Sequence, residues 1–293
     1  MQIPATFVMG ATGRLGHVLR RHWAGSAPGI GGGIGGGPVL WGAREPGPGL
    51  TRCDPLGDPA GLARAAGGAR ALLCLAGITP AAAARGADFG DDARLALAAL
   101  GAAETVGAHA FVCSSAAVYG RASGTGGLLR EDDALTPAAP YGEAKAAMEA
   151  AVLERAARTG QGVTILRIGN VAGADAALGG WRPGFTLDAF PDGTTPARSY
   201  IGPGMLASVL GALMGALMEA RDLPQVLNIA QPGAVEMGAL LTAAGLPWAT
   251  RPAPETAIAR VAFETGRLTA LVPVPPATPQ GLVADWRADQ AIG

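Results

Sequence analysis

Tyr141 and Lys145 stand four positions apart in the run Tyr141-Gly142-Glu143-Ala144-Lys145. On a helix that spacing puts both side chains on one face. A free phenol ionises at about pH 10 and is a poor base at neutral pH. A neighbouring ammonium favours the phenolate, which makes the tyrosine a proton donor and acceptor suited to an alcohol/carbonyl pair. The same spacing occurs in ordinary amphipathic helices, so the pair needs company. Ser115 offers it, in the run Cys113-Ser114-Ser115-Ala116-Ala117-Val118-Tyr119-Gly120. A serine at the C-terminal end of a strand can hold a substrate oxygen, and open α/β sheets bind ligands outside those ends. The G-x-S-x-G elbow of a serine hydrolase is absent.

A second kind of chemistry is suggested by Gly10-Ala11-Thr12-Gly13-Arg14-Leu15-Gly16. Glycines at this spacing let the backbone turn tightly and approach a pyrophosphate, which the free N–H groups and dipole of a helix N-terminus attract. In a chain with 46 glycines such a pattern arises by chance, so the context decides: an apolar run precedes it and a helical pattern follows. The residue closing the next strand should select between dinucleotides. An acidic residue there would meet a ribose 2′-hydroxyl. Here the run is Trp41-Gly42-Ala43-Arg44, and Arg44 with Arg14 suits a 2′-phosphate. NADP is therefore expected, while Glu45, one residue further, keeps NAD open.

These residues need a scaffold that gathers them. Residues 5–9 form a short apolar run that reads as a strand, and Leu15, Val18, Leu19, His22 and Trp23 recur at helical spacing. The glycine-dominated residues 25–37 read as a flexible loop. Residues 38–41 read as a strand, with Pro38 tolerated at its first position. Further strands are expected at 71–76, 110–113 and 163–168, and helices at 56–66, 91–106 and 141–159, the last started by Pro140. Strands apolar on both faces, alternating with helices, imply a parallel sheet covered on both sides with right-handed crossovers. The expected fold class is α/β, a Rossmann-like doubly wound parallel sheet with a small, irregular C-terminal substrate-binding part. Residues 1–170 would form the dinucleotide-binding domain. Within 171–293, residues 200–230 would return to the sheet through a helix at 205–220 and a strand at 226–229.

Taken together and in order, GATGRLG, Asp54-Pro55-Leu56, Leu75-Ala76-Gly77, SSAAVYG, YGEAK and Leu166-Arg167-Ile168-Gly169-Asn170-Val171 resemble the extended short-chain dehydrogenase/reductases, the NAD-dependent epimerase/dehydratase family, over roughly residues 3–230. The resemblance implies that Ser115, Tyr141 and Lys145 are catalytic. It implies that Gly10, Thr12, Gly13, Arg14, Leu15 and Gly16 cradle the dinucleotide, that Arg44, Asp54 and Pro55 lie at its adenosine end, and that Leu75, Ala76 and Gly77 line it. Lys145 would hold the nicotinamide ribose, with Tyr141, Ile168, Asn170 and Val171 beside the nicotinamide. Ser115, Ala116, Tyr141, Asn170 and Arg198 would meet substrate, Arg198-Ser199-Tyr200-Ile201 being the later substrate-proximal segment. A homodimer through the Ala-rich helices 91–106 and 141–159 is a further implication.

Three departures qualify the resemblance. Gly90-Asp91-Asp92 stands where the family carries an asparagine, Gly204-Met205 replaces the acidic residue after the Arg198 segment, and Ala116-Ala117 replaces the Asp-Glu pair of the dehydratases. The acid and base for 4,6-elimination of water are thus missing.

Composition narrows the partners. Hydrophobic residues make up 49% and charged residues 15% of 293 residues, which excludes a disordered chain even though 46 glycines and 23 prolines approach the low-complexity range. With 22 basic and 23 acidic residues, no basic patch marks a nucleic-acid binder. Three histidines and three cysteines give neither metal-ligand spacing nor a disulfide framework. Buried thiols in a reducing, cytoplasmic setting are expected, without a targeting segment. The uncharged stretch 199–218 has too few helical residues after Gly202-Pro203-Gly204 to span a membrane, which takes roughly 18–20. The reading is an NAD(P)-dependent oxidoreductase acting on a small molecule by hydride transfer at a secondary alcohol/carbonyl carbon. Its substrate pocket would draw on Trp181, Arg182, Phe185, Arg198 and Trp248. The alternatives are an epimerase of a sugar or sugar-nucleotide with tightly held NAD, and a non-catalytic dinucleotide sensor on the same fold.

Overall fold

A computed structural model describes residues 3–24, 37–120 and 127–292. The glycine tract at 25–36 lies outside them; Gly37 is described, its N–H donating to the Ile3 carbonyl at 2.8 Å.

Continuous apolar runs become the inner strands: β1 (Thr6–Met9), β4 (Ala71–Cys74), β5 (His109–Ser115) and β6 (Val163–Ile168). With β2 (Val39–Ala43), β3 (Leu50–Arg52) and β11 (Val226–Ile229) they make a seven-stranded parallel sheet in the order β11-β6-β5-β4-β1-β2-β3. Alternate residues serve opposite faces. Val8, Leu73, Phe111 and Leu166 pack with α1 (Arg14–His22), α6 (Pro203–Ala216) and α8 (Gly266–Leu271). Phe7, Leu72, Val112 and Ile165 pack with α2 (Pro59–Ala65), α4 (Asp91–Val106) and α5 (Pro140–Thr159). This is the Rossmann-like doubly wound arrangement.

Several boundaries differ from the sequence pattern, each for a local reason. The second strand runs on through Gly42 and Ala43 because it pairs on both sides, with β1 and with β3. The helix expected at 56–66 starts at Pro59: Asp58 caps it by accepting from Gly61 N at 2.8 Å, and residues 54–58 are a turn. The helix expected at 205–220 starts at Pro203, whose fixed φ suits a first helical position. It ends at Ala216, after which turn hydrogen bonds replace the helical ones.

Between β6 and β11 and beyond it the chain builds small sheets. β7 (Asn170–Val171) pairs with β10 (Tyr200–Ile201), and β9 (Ala197–Arg198) lies between β12 (Val235–Glu236) and β14 (Arg260–Val261). β8 (Thr186–Ala189) pairs with β13 (Ala249–Pro252). Short α3 (Pro80–Ala83), α7 (Met237–Ala244) and the C-terminal α9 (Pro279–Ala291) complete the described elements. Asp285 of α9 accepts from Gly204 N and Met205 N at 2.9 and 3.0 Å. A carboxylate thus reaches the start of α6 from a distant helix, at the Gly204-Met205 step where the sequence itself has no acid. None of the described helices is long and apolar enough to cross a membrane.

Candidate functional site

The sheet order reverses at β1, whose neighbours are β2 on one side and β4 on the other. Ligands of such sheets enter the crevice at the C-terminal ends of the strands there. Gly10 ends β1 with φ +96°, and a Cβ on it would lie 2.7 Å from the Ala76 nitrogen. Only glycine fits that backbone angle and that approach. A Cβ on Gly16 would lie 2.5 Å from the Gly10 carbonyl oxygen, so α1 seats directly on the loop. Gly13 precedes α1, no side chain caps that helix and no acid lies in its first turn. Its first N–H groups and positive dipole end are thus available to an anion. Thr12, Gly13 and Arg14 are exposed, Leu15 half-buried and Gly16 buried. Leu75, Ala76 and Gly77, half-buried after β4, form the facing wall. An uncapped helix end beside a glycine cradle fits a dinucleotide pyrophosphate.

At the outer strands Arg44 is exposed. Asp54 is exposed too, its carboxylate accepting from Leu56 N and Gly57 N at 3.3 and 3.0 Å, while Pro55 is buried beneath that turn. Arg14 turns elsewhere: its Nη1 donates to the Ala174 carbonyl at 2.6 Å, bridging the glycine loop to the segment after β7.

Ser115 closes β5, and its Oγ accepts from Ala117 N at 3.2 Å to open a short turn at Ala116–Val118. The serine's own proton remains to donate to a ligand oxygen. Ala116 beside it is half-buried. A Cβ on Gly142 would lie 2.4 Å from the Ala117 carbonyl oxygen. The first turn of α5 therefore rests on that turn and carries the half-buried Tyr141 to the end of β5. Lys145 is buried, with Nζ 6.0 Å from the Tyr141 ring centroid. It donates to Asp92 Oδ1 at 3.0 Å and to the Cys113 carbonyl at 3.5 Å. A Cβ on Gly77 would lie 2.8 Å from Nζ, so the ammonium adjoins the crevice wall as well as the tyrosine. Burial alone would push the Lys145 ammonium down; Tyr141 and Asp92 outweigh it and hold the lysine above its ordinary value.

Ile168 ends β6 inside the core, and Asn170 and Val171 follow, half-buried and buried. Tyr200, opposite Asn170 in the β7–β10 pair, donates to Asp175 Oδ2 at 2.8 Å. Arg198 is half-buried, but its guanidinium donates to the carbonyls of Ala197, Ile258 and Ala259 at 2.8, 2.9 and 3.3 Å. Of the other expected pocket residues, Trp181 donates to the Pro247 carbonyl at 2.9 Å and Trp248 to Thr242 Oγ1 at 3.1 Å.

Three residues enter the site unannounced by any motif. Phe89 stacks at a tilt on Tyr141, centroids 6.1 Å apart. Asp175 binds Tyr200 and also accepts from Ala177, Leu178 and Gly179 N–H groups. Asp92, which the sequence marks only as a departure, is buried against Lys145.

Known proteins resemble the chain as follows. The NAD dependent epimerase/dehydratase family matches residues 6–180. A UDP-glucose 4-epimerase from Brucella ovis, solved with NAD, superposes with TM-score 0.77 at 17% identity, covering 96% of each chain. A UDP-glucose-4-epimerase from Stenotrophomonas maltophila, solved with NAD and a formylated UDP-arabinopyranose, gives 0.72 at 19% identity, covering 98% of each. An NAD-dependent NDP-hexosamine 5,6-dehydratase of tunicamycin biosynthesis gives 0.72 at 20% identity, again with 98% of each chain. At these identities the likeness is one of fold. No curated protein matches the sequence.

Proposed function

The chain belongs to the NAD-dependent epimerase/dehydratase family, and from that premise we propose that it is an enzyme that oxidises and re-reduces a secondary alcohol carbon of a sugar or sugar-nucleotide, an epimerase with retained NAD. The observation that carries the reading is Lys145, whose Nζ adjoins both the Tyr141 ring and Gly77 of the crevice wall. The similar folds solved with NAD and with UDP-sugars favour epimerisation over net NADPH-linked reduction. With Arg14 bonded to Ala174, only Arg44 is left of the pair expected at a 2′-phosphate, which favours NAD over NADP.

Gly10, Gly13 and the start of α1 would hold the pyrophosphate, Asp54 and Pro55 would meet the adenosine end, and Leu75, Ala76 and Gly77 would line the path to Lys145, which would hold the ribose hydroxyls. When bound, the nicotinamide supplies a hydride acceptor and donor. Ser115 donates a hydrogen bond to the reacting oxygen. Tyr141 takes the hydroxyl proton as the carbonyl forms and returns it afterwards, and Lys145 favours its phenolate. Asn170, Val171 and Arg198 border the substrate. Ala116-Ala117 offers no acid–base pair for elimination of water.

Tyr141→Phe tests the reading. Turnover of a UDP-sugar, followed as interconversion of epimers, should fall by about 10²-fold or more, while cofactor released on denaturation remains NAD. Full turnover by Tyr141→Phe would sink the mechanism, NADP in the released fraction would restore the reductase reading, and bound dinucleotide without turnover of any sugar would favour a sensor. Free, buried Cys53, Cys74 and Cys113 support a cytoplasmic setting, to be checked by fractionation. Pairing of two copies through α4 and α5 is the assembly we expect, and light scattering measures it.

A further inference from the structure

Asp91 and Asp92 open α4 side by side but do different things. Asp91 makes an ordinary surface pair with Arg94 at 2.7 Å. Asp92 turns inward and is 1% exposed. Its Oδ1 accepts from Lys145 Nζ at 3.0 Å and from Ile78 N at 2.9 Å. Its Oδ2 is buried with no hydrogen-bond partner among the described residues. A Cβ on Gly77 would lie 2.6 Å from Asp92 Oδ1, so the carboxylate reaches the wall of the crevice. A helix-start acid that only complemented the dipole would stay in solvent, as Asp91 does.

We propose that Asp92 is a positioning residue that sets, through Lys145, the pH at which Tyr141 changes from proton donor to proton acceptor. The inference rests on the Tyr141/Lys145 reading above. Lys145 favours the phenolate by its positive charge. A carboxylate 3.0 Å from the ammonium cancels much of that field beyond the pair. With no third donor on Oδ2, its charge is not drawn off elsewhere. Asp92 thus tempers, without abolishing, the help that Lys145 gives to the phenolate that must take the first proton. The other ionisable groups acting on Lys145 are Tyr141 of its own helix and the thiols of Cys74 on β4 and Cys113 on β5. Burial pushes both thiols up to about 12, so they stay neutral across the working range.

The composition supplies a direct probe, because the chain has only three tyrosines. Burial pushes Tyr119 up to about 12 and Tyr200 well above its ordinary value. Phenolate absorbance that rises earlier, and is absent in Tyr141→Phe, reports Tyr141 alone. The full chain is titrated without added ligand. In Asp92→Asn, which keeps the shape and an acceptor for Ile78, that transition should move to lower pH by about half a unit or more. Asp92→Ser, smaller and also neutral, should move it the same way and serves if the Asn variant does not fold. An unmoved transition in the folded neutral variant, with or without a loss of melting temperature, overturns the proposal and leaves Asp92 a structural residue. The two readings fail separately. Full sugar turnover by Tyr141→Phe would remove the catalytic assignment while a moved transition upheld the electrostatic one, and the reverse pair of results would do the opposite.

Discussion

His109 begins β5 with Nε2 3.0 Å from Thr164 Oγ1, and burial pushes its imidazole down to about 4. In the unfolded chain a histidine titrates at about 6.5. The unfolded state therefore takes up the proton first as pH falls. The stability contributed by the neutral ring is whole above about pH 6.5 and is lost as pH falls toward about 4. Urea melts should show the wild type losing about 1–2 kcal/mol more than His109→Gln between pH 7 and pH 5; equal losses would mean the ring is already solvated. Histidine protonation was invisible in the sequence, which shows only a lone His before an apolar run. The same boundary separates the site residues. The placing of Ser115 at a strand end and of Tyr141 and Lys145 on one helix face is legible because it follows from local spacing. Asp92 is not, because what distinguishes it from Asp91 is a partner 53 residues away. Nor does the sequence say that Arg14 will reach across to a carbonyl 160 residues on.

β5, β6 and α5 are fastened below the site by a buried polar cluster. Arg167 on β6 meets Glu149 on α5 through Nε and Nη2, the latter at 2.7 Å, and Glu149 accepts from Ser114 Oγ at 2.5 Å. Arg167 Nη1 donates to Tyr119 Oη at 2.9 Å, and Tyr119 donates to Asn228 Oδ1 on β11 at 2.7 Å. Every member of this chain is buried, so removing one charge strands the other. Glu149→Ala should destabilise by about 3–5 kcal/mol, and Glu149→Gln by less; a denaturant midpoint unchanged in both would contradict the role. Ser114 adjoins Ser115, so the same loss should loosen the end of β5. Elements of this kind were readable in proportion to their apolar length. β1, β4, β5 and β6 announce themselves as unbroken runs. β3 is three residues, Leu50-Thr51-Arg52, and β9, β12 and β14 are two each. Such segments have no period to detect and exist because neighbours from elsewhere in the chain pair with them.

α9 holds the molecule's two sequence halves together. Asp289 receives Arg21 Nε at 3.0 Å and lies 3.1 Å from His22 Nε2, both on α1. One helical turn earlier, Asp285 caps α6. Cβ atoms on Gly202 and Gly204 would lie 2.0 and 2.6 Å from its oxygens, which explains the glycine at 204, where the resemblance leads one to look for an acid. Asp285→Ala should lower stability by about 1–2 kcal/mol and speed amide exchange at Gly204 and Met205; unchanged exchange there would show the cap to be idle. This long-range capping could not be read from sequence, since each end looks complete without the other.

The clamp also orders events during synthesis. Domains made on the ribosome begin folding from the N-terminal side, and α1, with the glycine loop at its head, is made well before α9. Yet the Asp289 contacts of α1 and the N–H groups that open α6 must wait until α9, at residues 279–291, has emerged. The glycine loop and its helix are thus laid down long before the helix that fastens them. A nascent chain lacking α9 can form much of its sheet, and should gain full protection of α1 and α6 only as α9 docks.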